Sequence, residues 1–418
     1  MRNPLTLLEI PTPAYVLEEE RLNHNLKILD SIQKQSGAKI LLALKGYAFW
    51  RRFDTLKHTL SGSTASGLYE ARLGYEEIGG RAKQGKHSAQ DSNAQHKEIC
   101  VFSPAYKASE FESILEYATH IIFNSFNQWQ KFKPLIDSKN QTLLTQNLSP
   151  IEVGLRVNPL YSEVEPPIYN PCVPLSRLGI TPSEFTKGVQ QYGLQGIDGL
   201  HFHTHCEQDS TALSRTLPHF EKHFEIYLKN KKWVNFGGGH HITRADYDCE
   251  LLINLIKDFK QRHNDIEVFL EPGEAVGWQV GFLIGEVVDI VENQGKVAIL
   301  DVSAAAHMPD CLEMPYRPTL CKLSKNGNIE SDKGVNVAQY TYRLGGPTCL
   351  AGDVIGDYSF DTPLLVGDRI IFEDMLHYTI VKNNTFNGIP LPLLGVIDTN
   401  GKFEILKRFD YTDYKQRN

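Results

Sequence analysis

Lys45 ends an apolar run, Ile40-Leu41-Leu42-Ala43-Leu44, and Gly46 follows it at once. A strand buried on both faces reads as a continuous apolar stretch, so this lysine would stand at the rim of a packed core. An amine there titrates readily and can form a Schiff base. The same pattern also suits a lysine whose stem lies on apolar surface with its head in water. Gly237-Gly238-Gly239 frees the backbone to present successive N–H groups, a nest suited to phosphate, or else makes a plain tight turn. Glu271, in Glu271-Pro272-Gly273-Glu274, could hold a proton against a heteroaromatic nitrogen or simply face water. His201, His203 and His205 recur with period two and would share one face of a strand. With Cys206 and Glu207 they raise a metal site. Ligands this crowded on one extended segment cannot all reach a single ion without distortion, so no metal is expected. One imidazole stacked on a flat ring is the better use, which leaves His201 and His205 open to structural roles.

These groups need a scaffold that gathers them. Short apolar runs at 40–44, 62–65, 99–102, 120–123, 152–157, 197–202, 233–236 and 267–270 alternate with helical stretches such as 68–78, 211–228 and 244–259. Strict alternation predicts a parallel sheet, and eight units predict closure into a (β/α)8 TIM barrel over residues 13–279. The active face of such a barrel is the C-terminal ends of its strands. Lys45, the histidines, the glycine triplet and Glu271 all fall there. Pro11-Thr12-Pro13 opens the ordered part in this reading, with a short strand at 14–17. The polar stretch 80–98 reads as a surface insertion. After residue 280 the runs 282–291, 296–300, 335–342, 369–372 and 378–381 are richer in β-branched residues, with turn signals between them. They predict a mostly antiparallel β domain over 280–418, joined by residues 1–12.

A chain of 418 residues accommodates both domains. A net charge of −7 offers no electrostatic footprint for nucleic acid or an anionic membrane. Met1-Arg2-Asn3-Pro4 lacks the apolar core of a signal peptide, and no apolar run nears the ~18 residues of a membrane span. Seven scattered cysteines, never in C-x-x-C spacing, predict reduced thiols and a cytoplasmic protein.

Taken together these motifs resemble the barrel-fold pyridoxal-phosphate decarboxylases, the group that holds the ornithine/arginine and diaminopimelate decarboxylases. The resemblance spans nearly the whole chain. It implies pyridoxal 5'-phosphate carried on Lys45, His203 stacked on its ring, Gly237, Gly238 and Gly239 at its phosphate and Glu271 on its pyridine nitrogen. Gly346-Pro347-Thr348-Cys349 looks like the family's segment that reaches into the partner subunit's site, implying a homodimer with shared active sites. Tyr378, with Phe386-Asn387-Gly388, looks like the closing segment whose tyrosine contacts the phosphate. Cys349 or Lys45 would return a proton to the substrate's α-carbon. Thr64-Ala65-Ser66 and Ser176-Arg177-Leu178-Gly179 match weaker signatures of the group.

The departures sharpen the substrate. Diaminopimelate decarboxylases carry arginine after Glu-Pro-Gly, where this chain has Glu274, and another arginine near Met308-Pro309-Asp310, where it has Glu313. Those arginines hold a distal carboxylate, so reversing their charge predicts a cationic distal end. The combination most resembles the carboxynorspermidine/carboxyspermidine decarboxylases, with Glu274, Asp310 and Asp353 as candidates for the substrate amines. Cys206 stands where relatives use serine near the phosphate, and Tyr69, beside Glu70, where many have glutamate. Other readings are a diaminopimelate or basic amino-acid decarboxylase, a non-catalytic cofactor-binding homologue, and a metal-dependent hydrolase built on the histidines.

Overall fold

The computed structural model describes residues 2–80 and 96–418. They form two compact units, Asn25–Val276 and Met1–His24 with Gly277–Asn418. Strand β1 (Ala14–Glu18) belongs to the second unit, while the first is a closed parallel barrel. Its strands are β2 (Lys39–Ala43), β3 (Gly62–Ala65), β4 (Glu98–Phe102), β5 (His120–Phe123), β6 (Glu152–Arg156), β7 (Gly199–His201), β8 (Trp233–Asn235) and β9 (Glu267–Leu270). The barrel closes where Lys39 and Ile40 pair with Phe269 and Leu270. Helices such as Leu68–Glu77, Ser210–Phe224 and Cys249–Arg262 connect the strands. This is the α/β barrel that the alternating pattern predicts.

Trp233 helps fill the barrel interior, in one buried cluster with Leu41, Cys100, Ile122 and Phe269. Its indole needs two glycines on neighbouring strands. A Cβ at Gly154 would lie 2.3 Å from the ring, and one at Gly199 2.1 Å from it. At the N-terminal ends of the strands Lys39 pairs with Glu98 (2.8 Å) and Glu267 (2.7 Å). Lys232 and the Trp233 indole N–H reach Glu152 at 2.8 and 2.9 Å. His120 lies between Glu98 and Glu152, at 3.5 and 3.6 Å. Conserving this face serves stability in barrels, because the chemistry sits at the other end.

In the second unit β1 lies between β10 (Gly281–Glu292), to which it is antiparallel, and Leu393–Ile397, to which it is parallel. The short strand expected at 14–17, ahead of the eight barrel strands, therefore belongs to the β unit. β1 is buried along Ala14, Tyr15, Val16 and Leu17, a pattern that suits a central strand of either sheet. Order also begins earlier than Pro11. Pro4–Glu9 is a helix, and the Arg2 guanidinium grips both Glu18 and Glu373, with N–O distances of 2.6–2.9 Å. Two expected strands differ. Of 335–342 only the end is strand, in Tyr340–Gly345, and 378–381 is a turn followed by the short helix Thr379–Lys382. Most of the expected insertion at 80–98 lies outside the described residues. Among the described residues no helix is long and apolar enough to cross a membrane.

Candidate active site

Lys45 stands two residues past β2, on a turn in which Gly46 and Tyr47 N–H donate to the Ala43 carbonyl at 3.0 and 3.2 Å. Gly46 suits this close approach, because a Cβ would meet Gly273 Cα at 3.0 Å and the Glu274 N at 3.1 Å. That contact draws the Lys-Gly turn against the Glu-Pro-Gly turn after β9. Lys45 is exposed at this end of the barrel. The protein walls around it still desolvate the ammonium, and together with the Arg156 charge they lower its pKa, against the pull of Glu271.

Glu271 is buried just past β9. Its Oε1 accepts from Asn235 Nδ2 at 2.7 Å, and its Oε2 lies 3.6 Å from His201 Nε2. Burial raises its pKa, while hydrogen bonds from Asn235 and Thr64 and the Lys45 charge pull the other way. His203, beyond β7, accepts at Nδ1 from the Gly238 N–H at 3.2 Å. Its proton therefore sits on Nε2, and burial, with Lys45 and Arg156 nearby, holds the ring neutral. His201 is buried and neutral for the same reasons. His205 hydrogen-bonds the Thr216 hydroxyl at 3.1 Å, an internal role.

The glycine triplet differs from the expected nest. The Gly237 N–H donates to Asn235 Oδ1 at 2.8 Å and the Gly238 N–H to His203. Only the next two amides, of Gly239 and His240, make no hydrogen bond among the described residues. Glycine is nonetheless dictated by close approach. A Cβ at Gly238 would lie 2.3 Å from the Glu271 carbonyl oxygen and one at Gly239 2.0 Å from that of His205; Gly237 and Gly239 also have φ of +72° and +81°.

His201, His203 and Glu271 offer ligand atoms all within 4.8 Å of one another, a spacing from which a metal site could be built. The two cations that face them, Lys45 and Arg156, oppose a further positive ion. The expected rim acid Glu274 is largely shielded and lies 3.7 Å from His241 Nε2. Burial, with Glu207 and Glu274 nearby, pushes the Cys206 thiol up to about 11.

The remaining candidates lie in the β unit. The Asp353 carboxylate is buried and accepts from the Ser303 hydroxyl (2.9 Å), the Ala305 N–H (3.2 Å) and both the N–H and hydroxyl of Thr348 (3.3 and 2.7 Å). These donors take up the lone pairs of the carboxylate, unlike the open acceptor expected of a residue that binds a substrate amine. Asp310 Oδ2 accepts from Thr379 at 3.0 Å, whereas its Oδ1 is buried without a partner. Burial raises its pKa. Glu313, expected to repel a distal carboxylate, pairs with Lys382 at 2.8 Å. Cys349 is exposed, and its N–H donates to Asn387 Oδ1 at 3.3 Å. Tyr378 centres a tight γ-turn closed by the Thr379 N–H on the His377 carbonyl, with φ +37° and ψ −55°. Strain of this kind in a non-glycine residue clusters at functional sites.

Two residues of the barrel site were missed in the sequence. Arg156 ends the apolar strand β6 just as Lys45 follows β2. It is buried, donates to the His203 carbonyl at 3.0 Å and stacks over Phe102 at 4.6 Å. Asn235 is a lone polar residue in a fully buried strand.

Known proteins resemble this chain over nearly its whole length. The family described as pyridoxal-dependent decarboxylase, C-terminal sheet domain, matches residues 15–375. The carboxynorspermidine/carboxyspermidine decarboxylase of Campylobacter jejuni is 43% identical over 98% of this chain and 99% of its own. The carboxyaminopropylagmatine decarboxylase of Synechocystis sp. is 42% identical over 100% and 97%. A crystal structure of the Campylobacter jejuni carboxynorspermidine decarboxylase with norspermidine superposes with a TM-score of 0.82, at 43% identity, covering 98% of this chain and 100% of that one. Diaminopimelate decarboxylase of Helicobacter pylori, at 16% identity and a TM-score of 0.77, shares the fold. With its family match spanning most of the chain and full-length relatives above two-fifths identity, this chain belongs to the pyridoxal-dependent decarboxylases.

Proposed function

We propose that this decarboxylase acts on a carboxylated polyamine, carboxynorspermidine or carboxyspermidine, releasing CO2 and leaving norspermidine or spermidine. The observation that carries the reading is identity of 43% and 42%, over nearly full length, to two relatives whose named substrates are both carboxylated polyamines. Glu274 in place of a carboxylate-binding arginine supports the same cationic distal end.

The residues of the barrel mouth fit pyridoxal 5'-phosphate. They offer an amine of lowered pKa, a carboxylate held by an amide, a neutral imidazole, and two unbonded amides in a turn with no room for a Cβ. Lys45 would carry the cofactor through its Nζ, since a depressed pKa leaves more neutral amine to attack a carbonyl carbon. Glu271 would hold the proton at the ring nitrogen through Oε2, and His203 would lie against the ring face. Gly239 and His240 N–H would bind the phosphate. Bound there, the cofactor supplies the sink for the electron pair left as CO2 departs. Glu274 would take a substrate amine. Cys349 of a second copy in a homodimer, or Lys45, would return the proton to the α-carbon.

The test is CO2 release from carboxynorspermidine, carboxyspermidine, carboxyaminopropylagmatine, diaminopimelate, ornithine and lysine, with the cofactor-loaded protein. Turnover of carboxynorspermidine or carboxyspermidine above the other four compounds supports the reading. A preference for carboxyaminopropylagmatine would assign a guanidinium tail, the alternative that the Synechocystis relative favours. Preference for diaminopimelate, ornithine or lysine would refute both.

A further inference from the structure

Asn235 closes β8 and is fully buried. Its amide bridges two parts of the barrel mouth. Oδ1 accepts from the Gly237 N–H at 2.8 Å, and Nδ2 donates to Glu271 Oε1 at 2.7 Å. The Glu271 N–H in turn donates to the Gly237 carbonyl at 2.8 Å. One residue on, the Gly238 N–H donates to His203 Nδ1. The second amide of the glycine triplet is thus committed to the imidazole that, on the reading above, lies on the ring face, and the first is tied through Asn235 to the acid at the ring edge. The turn, the acid and the imidazole form one hydrogen-bonded unit, with Asn235 at its centre.

We propose that Asn235 is a positioning residue for Glu271. Its amide N–H fixes Oε1 and leaves Oε2 to face the cofactor's ring nitrogen. The role rests on the assignment of Glu271 to that nitrogen. An amide suits it where a carboxylate would not. Aspartate at 235 would still accept from the Gly237 N–H, so the turn would survive. It could not donate to Glu271, and two buried carboxylates at that separation must share a proton. The other groups that face Glu271 are Thr64 on β3, Cys100 on β4, Lys45 after β2, Arg156 on β6 and His201 on β7. Asn235 donates to Glu271 without itself titrating, and its bond favours the charged carboxylate against burial.

Asn235→Asp and Asn235→Ala, each alone and combined with Glu271→Gln, separate positioning from support of the turn. The first readout is an infrared pH titration of the cofactor-free protein, with the Glu271 band assigned by its loss in Glu271→Gln. Both Asn235 variants should move the Glu271 midpoint upward; with Asp the value belongs to the coupled pair, so Ala gives the cleaner shift. In the loaded enzyme Asn235→Asp should lower kcat about tenfold or more, the usual scale for a lost hydrogen bond to a charged group, with KM within about twofold. In the Glu271→Gln background the same change should add little, because the coupled partner is gone. An unmoved midpoint in both variants, or an undiminished effect on top of Glu271→Gln, would overturn the proposal. Full activity in Glu271→Gln alone would instead overturn the ring-nitrogen assignment, while the infrared shift would still decide the role of Asn235.

Discussion

Thr348 donates to the Asp353 carboxylate through both its backbone N–H and its hydroxyl, at 3.3 and 2.7 Å, one residue before Cys349. Gly346 closes the same loop, its N–H donating to the Asp353 carbonyl at 2.9 Å, and a Cβ on it would lie 2.3 Å from Oδ2. The loop is wrapped on a buried acid that presents an exposed thiol. Asp353 therefore shapes the Cys349 loop, with its acceptor sites taken up inside the protein.

Asp353→Ala should loosen that loop. We expect Cys349 to react faster with a thiol reagent and kcat to fall at least tenfold, while KM for substrate changes less. Stability should drop by about 2 kcal/mol or more, because several buried donors lose a charged partner. A substrate-binding Asp353 would instead show its effect mainly in KM.

The Lys45 pKa is lowered by burial and then by Arg156. A lowered pKa means more neutral amine at a given pH, so pyridoxal phosphate should react with the cofactor-free protein at a lower pH than with free lysine. Arg156→Gln should move the midpoint of that rate–pH profile upward. Lys45→Ala should abolish the visible absorbance of the lysine-bound cofactor. A colourless wild-type protein carrying zinc would favour the histidine metal site.

Glu274→Arg should lower kcat/KM for carboxyspermidine at least about a hundredfold, because like charges set against each other cost several kcal/mol. Parallel kinetics on the cationic substrate and on diaminopimelate would show the shift. Unchanged activity would remove Glu274 from the substrate site.

The N-terminal face of the barrel should respond to acid. Burial raises the Glu152 pKa, but hydrogen bonds from His120 and Lys232 outweigh it and hold the group down at about 2. Glu98 is likewise held below the usual carboxylate range, by His96, His120 and Lys39 against burial. A depressed folded pKa contributes stability above the unfolded value, near 4.3, which is lost as pH falls through the folded value. Urea midpoints should fall steeply from about pH 4.5 toward 2. Glu152→Gln should flatten that slope.

Much of this architecture was legible in the chain. The eight barrel strands announce themselves because each is a short apolar run between a helix and a polar break, and Lys45, His203 and Glu271 mark the strand ends where polarity returns. Burial pattern alone could not place β1, since Ala14-Tyr15-Val16-Leu17 would fill a central position in either sheet. The β-branched run at 378–381 misled for a similar reason, as its first residue is strained into a turn. The direction of each glycine amide, and the donors that saturate Asp353 but leave Asp310 Oδ1 alone, arise from contacts between distant segments. Nothing local in the sequence encodes them. Arg156 was visible in principle, because it repeats the signature of Lys45.

The most direct measurement is the ratio of kcat/KM for carboxyspermidine to that for diaminopimelate, determined with one preparation of the cofactor-loaded protein. An acid where a carboxylate-binding arginine would stand predicts a ratio of about a hundred or more in favour of the polyamine precursor. A ratio at or below one would contradict the account.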